Sequence, residues 1–109
     1  MTVETSSGQY KVKFTYVPIE ISRILIEGGW SRSVEEIDRE PRPGDLLRTY
    51  CQIECPKRTF FGYVTQYSGD RHNKKIARRL SFEKAVAKID DKKVRATLWY
   101  EFRFRIKQP

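Results

Sequence analysis

The stretch KKVRATLWYEFRFRIK, Lys92 to Lys107, carries the most regular pattern in the chain. Val94, Ala96, Leu98, Tyr100, Phe102, Phe104 and Ile106 occupy one side of a period-two repeat. Arg95, Thr97, Trp99, Glu101, Arg103, Arg105 and Lys107 occupy the other. Successive side chains of a strand point to opposite faces, so an alternation over 13 residues predicts a long strand with one face on a core. Such a strand obliges the rest of the chain to supply sheet partners.

Immediately upstream, SFEKAVAKI places Phe82, Ala85, Val86 and Ile89 on one helical stripe, with Ser81 as N-cap. Extending that helix back by a turn puts Arg78 on the same stripe, where a buried guanidinium is costly. This predicts a break near Ser81, with Arg71 to Arg79 in a loop. LLRTYCQIE and TFFGYVTQY read as two strands of a hairpin whose tip holds Lys57 and Arg58. YKVKFTYV, Tyr10 to Val17, alternates as a half-buried strand. IEISRILIEGG is compatible with helix or strand. Pro18 in a first turn and Gly28 or Gly29 as a terminal cap favour the helix. Ser33-Val34-Glu35-Glu36 has the form of a capping box and predicts a short helix to about Arg39. Two prolines and a glycine make Glu40 to Asp45 a loop. Residues 1–9 are small and polar and read as a flexible N-terminus, with 10–109 as a single α+β domain. The expected architecture is an antiparallel sheet of about four strands with two or three short helices packed on one face.

The chain has 109 residues and a formal net charge of +8, with a pI near 9.7. Residues 1–56 hold 7 basic and 9 acidic side chains, whereas 57–109 hold 15 basic and 5 acidic. A basic half that is also rich in Phe, Tyr, Trp, Val and Ile should fold, and it implies an acidic partner, most commonly nucleic acid. No run approaches the ~20 apolar residues of a membrane span. The N-terminal residues lack the basic start and apolar stretch of a secretory signal, so a cytoplasmic location without membrane contact is expected. Cys51 and Cys55 on one strand would lie ~13 Å apart at ~3.3 Å per residue, too far for a disulfide, so both are expected reduced.

Two surfaces are candidates for binding nucleic acid or an acidic partner. The first is the basic segment of Arg71, His72, Asn73, Lys74, Lys75, Arg78 and Arg79, whose cations and amide suit phosphate contacts. The second is the polar side of Lys92–Lys107, where Arg95, Arg103 and Arg105 flank Trp99 and could form a sheet platform on which bases stack. Lys57 and Arg58 could extend either patch. Each has a plainer reading, since exposed basic turns are common and basic side chains on strands deter edge-to-edge association. Cys51, Cys55 and His72 make a poor zinc set, and no other metal or cofactor is expected. The single histidine has no triad partners, and phosphate-binding glycine loops are absent, so no enzymatic activity is expected.

At KKIARRLSFEKA, Lys74 to Ala85, the sequence resembles small phage and mobile-element proteins that pair a short hairpin with a K-K-I-G-R segment leading into a helix. Lys74, Lys75, Ile76, Arg78 and Ala85 match, while Ala77 stands where that pattern has glycine. The resemblance covers about a dozen residues. It implies a phage-borne accessory protein in the bacterial host cytosol, a group that includes nucleic-acid binders and anti-CRISPR proteins, and it assigns no residue a role. Three functional expectations follow: a backbone-directed DNA or RNA binder, an inhibitor docking on a host defence nuclease complex, or a virion assembly component. Mimicry of DNA is disfavoured by the positive charge. A monomer and a homodimer are both compatible with the sequence.

Overall fold

A computed structural model of the chain describes residues 1–66 and 73–106. The expected class holds: an antiparallel sheet with helices packed against it. Its strands are β1 (Thr2–Thr5), β2 (Gly8–Ile26), β3 (Gly29–Glu36), β4 (Leu46–Glu54) and β5 (Thr59–Thr65). Two helices follow, α1 (Lys74–Val86) and α2 (Lys92–Glu101), the latter continuing into a π-helical turn over Phe102–Ile106. No helix among the described residues is long and apolar enough to cross a membrane.

The sheet runs β1-β2-β4-β5, with β3 also paired to β2. Ile19 of β2 is opposite both Glu36 of β3 and Leu46 of β4, so β3 and β4 flank different edges of β2. Beyond Ile19, β2 leaves β4 behind and continues with β3 alone, as a two-stranded arm. The molecule is therefore elongated, 50 × 34 × 21 Å, with a radius of gyration of 16.2 Å. A compact chain of this length would have about 13 Å.

The core lies between one sheet face and the helices. Val12, Cys51, Ile53 and Phe60 meet Phe82, Ala85, Val86, Ile89, Val94, Leu98 and Phe102. Phe82 stacks on Phe102 with centroids 4.4 Å apart. Helix α1 crosses β5 at Gly62, where a Cβ would lie 2.3 Å from the Ser81 carbonyl oxygen and 2.4 Å from the Ala85 nitrogen. Backbone touches backbone there, so no residue but glycine fits without movement.

Several expectations are corrected. Residues 92–106 are helical, not a strand. Asp91 caps α2, its carboxylate accepting from the amides of Lys93 (2.9 Å) and Val94 (3.3 Å). Val94, Leu98 and Phe102 are buried, four residues apart, whereas Tyr100 and Phe104 face solvent. A period of two contains a period of four, so the same string serves a helix. Residues 19–36 form a hairpin rather than two helices: Ile26 pairs with Gly29 across Glu27-Gly28, and Gly28 and Gly29 take φ values of +96° and +130°. Those glycines make a turn, which L-residues adopt with strain, instead of ending a helix. Ser33 to Glu36 sits within β3, so the capping-box pattern is not used. The N-terminal residues are part of the sheet: β1 pairs with β2, Val3 is buried, and the Met1 ammonium donates to the Val12 carbonyl at 2.8 Å. Finally, α1 runs unbroken through Arg78. Arg78 is half-buried, with its Nε buried and unpartnered among the described residues.

Candidate nucleic-acid interface

Lys74, Lys75, Arg78 and Arg79 belong to the first turns of α1 and not to a loop. Asn73 is the N-cap, its side-chain oxygen accepting from the amides of Lys75 (3.0 Å) and Ile76 (3.2 Å). That occupation makes Asn73 a structural residue and explains why the helix starts there. Lys75 is exposed, and Lys74 Nζ lies 5.2 Å from the centroid of the Tyr16 ring, a cation–π contact across to β2. Arg79 is exposed and Arg78 half-buried. Arg71 and His72 lie outside the described residues, as does the side chain of Arg105.

Arg79 meets residues of α2 in a groove of about 700 Å³ lined by Glu83, Ala96, Trp99, Tyr100, Phe102, Arg103 and Phe104. Arg103 and Trp99 stay on one side, as expected, but they do so as helical neighbours four residues apart. Trp99 is not an open platform. It is half-buried, its ring edge-on to Phe82 at 4.9 Å and to Phe102 at 5.7 Å. The exposed rings are Tyr100 and Phe104, 60% and 54% accessible, paired with centroids 4.6 Å apart. The alternating pattern had assigned these two to the core. The groove thus combines two guanidinium groups and the Glu83 carboxylate with aromatic faces; guanidinium groups and rings are the kinds of group that can contact phosphate and stack on bases.

The remaining candidates separate from it. Arg95 Nη1 donates to the Ile89 carbonyl at 2.5 Å and the Asp90 carbonyl at 2.9 Å, fastening the turn between α1 and α2. It is committed to the fold. Lys57 and Arg58 border a cleft with Asp90 and Asp91 and do not line the groove. Arg58 also lies over the Phe60 ring at 5.2 Å. Among the described residues no group of three or more His, Cys, Asp and Glu side chains could hold a metal ion. Cys51 and Cys55 are free thiols. Burial pushes the Cys51 thiol up to about 12.

The sequence reading missed the opposite face of the sheet. There, Tyr50 and Tyr63 pair across β4 and β5 at 5.5 Å, and the Arg48 guanidinium sits 5.1 Å from the Tyr63 centroid. The hydroxyl of Tyr50 donates to Glu36, which also accepts from Arg48 at 3.3 Å. The signal was present in TFFGYVT, where Phe61 and Tyr63 alternate outward with buried Phe60 and Gly62.

Comparisons with protein-family models, curated proteins and solved structures gave no match.

Proposed function

We propose that this chain is a small non-enzymatic nucleic-acid-binding accessory protein of a phage or mobile element, acting in the host cytosol. The observation that carries the reading is the convergence of Arg79 and Arg103 from two helices beside Trp99, Tyr100 and Phe104 in one groove. Lys74 and Lys75 extend the cationic surface along α1. Binding of this kind follows the phosphate backbone and is salt-sensitive, because each phosphate neutralised releases condensed counterions. The test is fluorescence anisotropy with labelled DNA and RNA at 50 and 200 mM salt. Arg79→Glu with Arg103→Glu should weaken binding and lower the log–log salt slope by about 2 units. Unchanged affinity and slope in that folded variant would remove the groove from the interface.

One observation favours a second reading, docking on a host defence nuclease complex as anti-CRISPR proteins do. The reverse face of the β2–β3 arm exposes Ile24 and Ile26 together with Glu20 and Glu35, which sit directly opposite each other. Like charges facing across a ribbon are unfavourable, and a protein partner could offset them. Co-purification of a defence effector from nuclease-treated lysate, lost on Ile24→Asp, would support it. Absence of any effector would count against it.

A further inference from the structure

We propose that the open face of the sheet, continued along one face of the β2–β3 arm, is a stacking platform for single-stranded nucleic acid. This rests on reading the chain as a nucleic-acid binder and adds a second site with its own ligand preference.

The face follows from strand alternation. Even positions of β2 from Tyr10 to Tyr16 turn toward the helices, so Lys11 and Lys13 turn away. The cross-strand register extends that face over Arg48, Tyr50, Phe61 and Tyr63 of β4 and β5. In the other direction the same parity of β2 carries Ile21, Arg23 and Leu25, opposite Val34, Arg32 and Trp30 of β3. The open sheet and the arm therefore present the same side of β2, with the buried Ile19 and half-buried Ile21 lying between their exposed parts.

The basic side chains of β2, β3 and β4 all lie on one side. The platform side holds Lys11, Lys13, Arg23, Arg32 and Arg48. Glu20 and Glu35 are on the reverse. Of the acids on the platform side, Glu36 is held by Arg48 and Tyr50, Glu54 is directly opposite Lys11, and Glu4 accepts from Gln9 at 2.9 Å. Positive charge is what a phosphate backbone requires.

Rings are presented on this side. Phe61 and Tyr63 are 48% and 49% accessible, and Trp30 is 62% accessible with Arg23 5.3 Å from its centroid. Phe61 and Tyr63 lie two residues apart on an edge strand, ~6.7 Å along it, within reach of successive splayed bases. Solvated sheet faces ordinarily carry polar side chains, and a two-stranded ribbon is marginal alone in water. Exposed rings among cations on both elements are accounted for by a ligand that stacks. Bases in a duplex present no free faces, so the ligand is a single strand.

The experiment titrates parent and variants into labelled oligo-dT, oligo-rU and a mixed-sequence duplex by anisotropy at 50 mM salt. Folding is checked by circular dichroism. Phe61→Ala with Tyr63→Ala, and separately Trp30→Ala on the arm, should each weaken single-strand binding about ten-fold or more while leaving duplex binding unchanged. The dT and rU arms name the sugar preferred. Sheet and arm variants that bind single strands like the parent overturn the platform and leave the helix groove standing. Loss of single-strand binding in these variants but not in Arg79→Glu/Arg103→Glu supports the platform and displaces the groove as the main site. A parent that binds none of the three overturns both readings.

Discussion

Replacing Gly62 by alanine tests the packing of the whole helical layer. Gly62 does not have the positive φ of Gly8, Gly28, Gly29 or Gly44, so its requirement is space, not backbone freedom. The added methyl would sit 2.3 Å from the Ser81 oxygen, 2.4 Å from the Ala85 nitrogen and 2.9 Å from the Lys84 carbonyl carbon. All three are backbone atoms of α1, so no side chain can rotate away. Ordinary contact needs α1 to retreat by about 1 Å, and a gap of that size forfeits a quarter to a half of the dispersion well for the atoms lining it. Phe82, Ala85 and Val86 are fully buried beneath that helix. Their burial is worth on the order of 6 kcal/mol together, so the loss is about 1.5–3 kcal/mol, and backbone adjustment brings the expected cost to about 3 kcal/mol. For a domain of this size that lowers Tm by roughly 12–20 °C. Urea denaturation followed by far-UV circular dichroism measures it. A Gly62→Ala protein within about 0.5 kcal/mol of the parent, the range of neutral surface changes, would refute the close approach of α1 to β5.

Two further predictions concern titratable groups. The Arg39 guanidinium donates both of its arms to Asp45 at 2.7 and 2.9 Å, and the Arg42 amide adds a third bond at 2.7 Å, closing the loop before β4. These bonds, the Arg39 side chain first and then the Arg42 amide, hold the Asp45 carboxyl down at about 2, against 3.8 for a free side chain. A depressed folded pKa means the clamp stabilises the loop fully above about pH 4 and loses that contribution as pH falls toward 2. An NMR titration of Asp45 should show its midpoint near 2, and a midpoint at the ordinary aspartate value would show the clamp is not formed. For the thiols, native alkylation with iodoacetamide should modify Cys55 and spare Cys51, which is fully buried with its thiol pushed up to about 12. Denaturation should expose the second. Equal labelling of both in the native protein would contradict the packing of β4 against α1.

Sequence and structure agree where the signal is local and unambiguous. The stripe of Phe82, Ala85, Val86 and Ile89 is buried as its spacing requires, and the hairpin around Pro56 and Lys57 forms where turn residues separate two alternating runs. The exclusion of Arg78 from α1 failed for a specific reason. A guanidinium is costly only where it is fully buried, whereas Arg78 is half-buried and its Nε is the buried side-chain atom without a partner among the described residues. The candidate site was half legible. Arg79, Trp99 and Arg103 do share a groove, yet Tyr100 and Phe104 exchange places with Trp99, because a helix displays them where a strand would have buried them. The open sheet face went unremarked because its aromatics come from different strands, and only register brings Tyr50 beside Tyr63.

The sequence by itself determined the charge division between the two halves, the α+β class, and the apolar stripe on which α1 packs. These are properties of composition and of short-range periodicity, which survive whatever the rest of the chain does. Only the tertiary structure decided whether Lys92 to Ile106 would be strand or helix, and whether residues 19–36 would be two helices or an arm. Both segments carry patterns that fit either state. For the first, the choice fell to the cap at Asp91 and to the partners available for Val94, Leu98 and Phe102, above all the Phe82 ring that Phe102 stacks upon. For the second, it fell to β2, which runs past the end of β4 and pairs there with β3 alone, through the turn that Gly28 and Gly29 make.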